Sequence, residues 1–384
     1  MKNKRNIIFV ILLVIFTLGG VFIGRQSKAI DVYENEETNI KKSKNMLSMM
    51  LETEAGSGNY EMTTRESWPT EGYIFNTELS KCENGGELSW DDENKRVLMS
   101  GNVTDKCYVY FDVRPPLLSE YVKSLYTGTQ GENNLYYHDE NFANGAKDKS
   151  YRYAGAGDAV NNYICLGATS PCPDANLFRI IGVFNNQVKV IKATSLGTMA
   201  WDSGDSNTWS TSSLNKYLNG EYLANLGNLA TKISVNTWKV GGNTKFESDN
   251  SFDKLYDSSP SDVYYYEIEK PVNTNSTDNL VTYDAKIGLI YVSDYGFAAK
   301  PSEWKTLYEY NESSLDWLYT GLGEFTITRC ASFTNITHII YSDGRVSDAQ
   351  VSSVLSVRPS FYLIDSVSYS GGVGTQSDPI IIGD

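Results

Sequence analysis

Histidine is nearly missing from this chain, with His138 and His338 the only two in 384 residues. Imidazole is the side chain that titrates near neutrality and the commonest general base, so His-based catalysis has few places to stand. Basic residues are also short, 33 Lys and Arg against 47 Asp and Glu, for a net charge of -14 and a pI near 4.7. Nucleic-acid binding rests on clustered Lys and Arg that displace counterions, which excludes DNA and RNA as partners. No pair among the five cysteines has the Cys-x2-Cys spacing of zinc frameworks. Gly204-Asp205-Ser206 lacks the flanking glycine of serine hydrolases, and Asp202, Asp205 and Asn207 lack both the repeated-aspartate pattern and the distal Glu of a calcium loop. Turn chemistry accounts for such runs. No catalytic residue, metal or cofactor is therefore expected.

Long apolar stretches are missing as well, except one. Lys2, Lys4 and Arg5 precede an uninterrupted apolar run from Ile7 to Gly24, which as a helix is about 27 Å long against a hydrocarbon thickness of about 30 Å. A cleaved signal peptide is the alternative, but its apolar part is usually shorter and ends in a better site than Ser27-Lys28-Ala29. The preferred reading is an uncleaved single-pass anchor, contacting membrane lipid through this helix. The dense basic flank stays cytoplasmic and the remainder of the chain lies outside. The cysteines agree with export: Cys82 with Cys107 and Cys165 with Cys172 bracket short segments suited to disulfides in an oxidising compartment, leaving Cys330 as a buried thiol.

The expected organisation is a cytoplasmic flank and anchor over 1–24, a polar stalk over 25–45, a small β module over 46–114 and a larger domain over 117–384. The module shows short alternating runs such as Tyr73 to Phe75, Leu88 to Trp90, Val97 to Met99 and Tyr108 to Phe111, separated by turn residues. At about 65 residues it is small enough to need a disulfide staple. Pro115-Pro116 marks the boundary. Beyond it, Leu117 to Tyr126 suits a short helix, and Gly131 to Asn162 reads as a long surface segment. Phe178 to Phe184 and Gln187 to Lys192 form a hairpin about Asn185-Asn186, a type I′ signal. Ser210 to Ser213 offers an N-cap to a short helix stopped at Gly220. Ile287 to Val292 reads as a strand, with Ser293-Asp294 capping another short helix, and strands follow at Phe325 to Thr328, Ile336 to Tyr341, Val357 to Leu363 and Ile380 to Ile382. The class is α+β with few long helices.

Several phrases in the larger domain are distinctive: Ser150 to Gly155, Asn161 to Cys165, Asn176 to Phe184, Asn207 to Asn215, Val292 to Ala299 and Val357-Arg358-Pro359. Over roughly residues 120–384 the chain resembles a family of uncharacterised exported proteins of gut Firmicutes, with a domain of unknown function that often ends in a Val-Arg-Pro strand. The stretch from Lys81 to Asp112 resembles the small β module that often precedes it. The resemblance implies surface placement and no particular reaction. At greater distance the layout is similar to the C-type-lectin-like fold shared with formylglycine-generating enzymes. The sugar-binding motifs of true lectins are missing, and Cys330 stands without the cysteine partner of the oxidising enzymes, so neither activity carries over.

Trp201, Trp209, Trp238, Trp304 and Trp317 all fall in the larger domain. Two or three are expected in the core and the others on a face that stacks on a sugar or fills a partner's pocket. The candidate binding residues are Trp201, Asp202, Trp209, Trp304, Trp317 and Arg358. Arg358 reads first as a structural arginine paired with an internal acid. The function expected is a membrane-anchored cell-surface protein that recognises a glycan or a surface protein. A hydrolase acting on wall or host polymers and a purely structural surface protein are the alternatives.

Overall fold

The computed structural model describes residues 47–383 apart from 66, 70, 101–104, 170, 244–256, 272–280 and 311–315. The apolar run Ile7 to Gly24 and the stalk lie outside the described residues. Among the described residues no helix is long and apolar enough to cross a membrane. The architecture is α+β, mostly sheet, and the chain divides into two compact units between Pro115 and Pro116.

In the first unit, Leu47–Glu52 pairs in parallel with Cys107–Val113. Tyr60–Met62 and Tyr73–Cys82 flank this pair as antiparallel neighbours. Alternation along Cys107–Val113 buries Cys107, Val109 and Phe111 and turns the intervening residues outward, the pattern of a sheet with one covered face. Glu87–Asp91 and Arg96–Ser100 form a separate hairpin. Its Trp90 meets Phe111 edge to face at 5.5 Å, closing a core of Met49, Phe75, Val97, Val109 and Phe111. The Cys82–Cys107 disulfide joins two paired strands of this unit.

The second unit is built on a sheet with Leu177–Phe184 and Gln187–Lys192 at its centre. Asn185 and Asn186 take φ of 47° and 66°, the left-handed pair that a two-residue type I′ turn requires. A second sheet carries Glu324–Cys330 between Ile336–Ile340 and Val354–Ser356, and Asn236–Lys239 pairs with Thr282–Ala285 as a ribbon. The Cys165–Cys172 disulfide ties the end of Tyr163–Cys165 to the loop that follows, and Cys330 is buried.

Three local expectations are corrected. The segment from Gly131 to Asn162 is not a surface excursion: Leu135–Tyr137 and Tyr151–Tyr153 pair with each other, the latter also lies against Leu177–Phe184, and Leu135 and Tyr153 are buried. Their three-residue strands are too short to leave a periodic signal. The helix capped by Ser212, whose hydroxyl accepts the Asn215 N–H, does not stop at Gly220. It runs on through a π turn at Leu218–Tyr222 and ends before Gly227, the glycine with positive φ. Finally, the strand expected over Ile287 to Val292 is confined to Ile287–Gly288, and Val292 opens the helix Val292–Ala298.

Candidate functional site

Three elements bring charge into the interior of the second unit. Lys189 sits on the strand Gln187–Lys192, Arg152 on Tyr151–Tyr153 and Asp294 in the first turn of Val292–Ala298, and all three are buried. Arg152 reaches its position because Gly182 faces it: a Cβ on Gly182 would stand 2.1 Å from the Tyr151 carbonyl oxygen. Only glycine permits that backbone approach, and the register shift beside it marks a bulge. Lys189 Nζ lies 2.6 Å from Asp294 Oδ2, and Arg152 bridges Asp294 Oδ1 at 3.5 Å and Asp148 Oδ2 at 2.6 Å. Buried charges survive in such paired, hydrogen-bonded arrays because isolated ones cost far more.

Electrostatics follow from this geometry. Burial pushes the Asp148 carboxyl up, but Arg152 and the Ser150 hydroxyl outweigh it and its pKa falls to about 2. Burial works against the Lys189 ammonium, yet Asp294 holds its pKa above the ordinary lysine value. Rings surround the ammonium, with centroids 4.6 Å away for Tyr291, 5.3 Å for Tyr362, 5.4 Å for Trp238 and 5.8 Å for Phe184.

These rings also line a cleft of about 250 Å³ that opens to solvent. Trp238 and Tyr291 are buried in its floor, and Phe184, Tyr264, Ile268 and Tyr362 form half-buried walls. Asn185, Gln187, Asn236, Thr237 and Lys239 supply polar groups, with Asn185 and Thr237 exposed at the rim. Trp238 is seated by Gly288, where a Cβ would stand 2.7 Å from the indole ring. Asn236 Nδ2 is shielded from solvent and has no hydrogen-bond partner among the described residues. Apolar walls with a few polar groups are the common make-up of a ligand site.

The candidate residues drawn from sequence lie elsewhere. Trp201, Trp209 and Trp317 are at most 2% exposed and belong to the core. Trp201 Nε1 donates to the Thr326 carbonyl, Trp317 Nε1 donates to that of Tyr153, and Trp201 packs on Trp209 at 5.2 Å. Their polar flanking sequences are turns over the core rather than a binding face, which is the correction. Asp202 is buried. Its carboxylate accepts the backbone N–H groups of Gly204, Ser206 and Ser213 and so organises the turn. Asn207 donates to the carbonyls of Cys330, Phe333 and Ile336, leaving no calcium loop. Arg358 is buried and pairs with Glu324, both carboxylate oxygens 2.9 Å from Nε, so it takes its structural reading. Trp304 is half-buried, with its Nε1 donating to Ala299 and its ring packed against Phe142 and Phe297, away from the cleft.

Sequence reasoning missed the cleft because its parts come from six separate segments. One signal was present: Lys189 stands between Val188 and Val190 in an apolar strand, where a cation requires an internal counter-charge. His138 is buried, accepts the Ala146 N–H at Nδ1 and has its pKa driven well below the usual value, chiefly by burial and also by Arg152. Cys82, Asp105 and Cys107 lie together, but the two sulfurs are bonded to each other and Asp105 accepts the N–H groups of Asn84 and Gly86, so they are not metal ligands. Comparison with known proteins found no family model, no curated protein and no solved structure that matches this chain.

Proposed function

We propose that the chain is a membrane-anchored surface protein whose larger unit recognises an extracytoplasmic ligand, a glycan or a surface protein, in the cleft over Trp238. The carrying observation is the cleft's lining: aromatic faces beside amide and hydroxyl groups, with the solvent-shielded Asn236 Nδ2 lacking a partner among the described residues. Aromatic faces stack on apolar patches of sugars or receive an inserted side chain, while fixed amides select hydroxyl or peptide groups. The basic flank and the apolar run support the anchor, and two disulfides support an oxidising address. A layout similar to the C-type-lectin-like fold belongs to the same reading.

Hydrolysis is less well supported. Polymer hydrolysis of the usual kind takes two carboxyl groups across the scissile bond. Asp148 is the one carboxylate among the residues lining the cleft, and with a pKa of about 2 and a bond to Arg152 it makes a weak general base.

Binding of the fragment from Met46 to a glycan and surface-protein array tests the reading. Asn236→Ala removes the unpartnered donor and is expected to weaken the bound ligand about tenfold, the worth of one good hydrogen bond, without lowering thermal stability. Unchanged affinity in this variant overturns the cleft as the site.

A further inference from the structure

Lys189 and Asp294 meet under conditions that favour bond formation between them. Nζ lies 2.6 Å from Oδ2, and the two side chains are 1% and 3% exposed. That contact sets the carboxyl carbon within about 3.5 Å of the nitrogen, the range of a near-attack pair. Both groups are held on regular elements, the strand Gln187–Lys192 and the helix Val292–Ala298. The carboxyl is polarised from both ends: Arg152 Nη1 is 3.5 Å from Oδ1, and the Tyr291 N–H donates to Oδ2 at 2.9 Å. The rings of Tyr291, Tyr362, Trp238 and Phe184 keep bulk water from the pair.

We infer that Lys189 and Asp294 condense into an intramolecular amide, a covalent tie between strand and helix beneath the cleft. A proton first passes from Nζ to Oδ2 along the 2.6 Å contact, a transient step out of the ionised resting pair that frees the nitrogen lone pair. The nitrogen lone pair then attacks Cγ, and the carbonyl π electrons move to Oδ1, where Arg152 faces the developing negative charge. A second proton moves from Nζ to Oδ2, the Cγ–Oδ2 bond breaks, the carbonyl reforms and one water departs. One N–H remains on the amide. Ammonium plus carboxylate equals amide plus water, so the step consumes no oxidant, reductant or activating group.

The test is a digest of the reduced full-length chain read by mass spectrometry. The expected product is a branched peptide joining the segment with Lys189 to the segment with Asp294, lighter than the two separate peptides by one water, about 18 Da. Lys189→Arg keeps the cation but cannot form this tie, so its digest is expected to yield the two linear segments at full mass. Recovery of the wild-type segments only as separate linear peptides overturns the inference. A water deficit that persists in Lys189→Arg overturns it equally, because the lost water then comes from elsewhere.

Discussion

Arg358 shows how much a single residue in the interior of this protein is bound to its partner. Its guanidinium meets Glu324 at 2.9 Å and donates to the Leu318 carbonyl at 2.6 Å, all out of water. Arg358→Ala leaves Glu324 as an uncompensated buried acid and is expected to cost about 3–5 kcal/mol in urea unfolding. The double variant Arg358→Met with Glu324→Leu is expected to recover most of that loss, since two apolar groups of similar size need no partner. Glu267 gives a second test at this scale. Burial raises its pKa to about 7, even though Val292 N–H, Ser293 N–H and the Thr328 hydroxyl all donate to it and favour the anion. Below about pH 4.5 folded and unfolded chains both hold this proton, and its contribution to stability is fully present. Between about pH 4.5 and 7 the unfolded chain releases the proton while the folded one keeps it. Stability therefore falls as pH rises, by up to about 1.4 kcal/mol per pH unit, and levels above about pH 7. Urea midpoints across this range are expected to show the fall, and Glu267→Gln is expected to flatten it.

Elements were legible in the sequence where a turn or a period announced them. The Asn185-Asn186 hairpin, the Ser212 cap and the strands of the first unit other than Tyr60–Met62 follow from local residue choice, because positive φ, a hydroxyl cap and two-residue alternation are all short-range. Tyr151–Tyr153 escaped notice because its pairing depends on Gly182, some thirty residues away in sequence. The tryptophans were misplaced for a related reason. Polar neighbours of Trp201 and Trp209 suggested loops at the surface, but Asp202 ties that stretch to the start of the helix Ser213–Tyr217 and Asn207 ties it to the strand Glu324–Cys330. Gly288 is the glycine on which the cleft floor depends, and Gly288→Ala is expected to displace the Trp238 ring. Such overpacking is expected to lower stability by about 1–3 kcal/mol and to weaken ligand binding in the same variant. In the first unit, opening the Cys82–Cys107 link by paired alanine substitution is expected to cost about 2–4 kcal/mol, read as a drop in its thermal transition.

At the scale of the molecule, the larger unit buries Lys189, Arg152 and Asp294 in its interior and carries a small aromatic and amide-lined cleft beside them. The ion pairs of Lys189, Arg152, Asp294 and Asp148 lie against the rings that form the cleft, a rigid backing of the kind the proposed recognition site requires. Apart from Lys189 in its apolar strand, none of this was legible as a site in the linear sequence, because the participating residues span from Asp148 to Tyr362. The most direct measurement is a side-by-side binding profile of the wild-type chain and Thr237→Trp on one array of glycans and surface proteins. Thr237 is exposed at the rim, where its hydroxyl donates to Asp284, so the indole adds bulk at the mouth of the cleft without entering the core. A defined ligand is expected for the wild type, and its loss, at unchanged melting temperature, in Thr237→Trp; identical profiles, or no ligand for the wild type, would contradict recognition in the cleft.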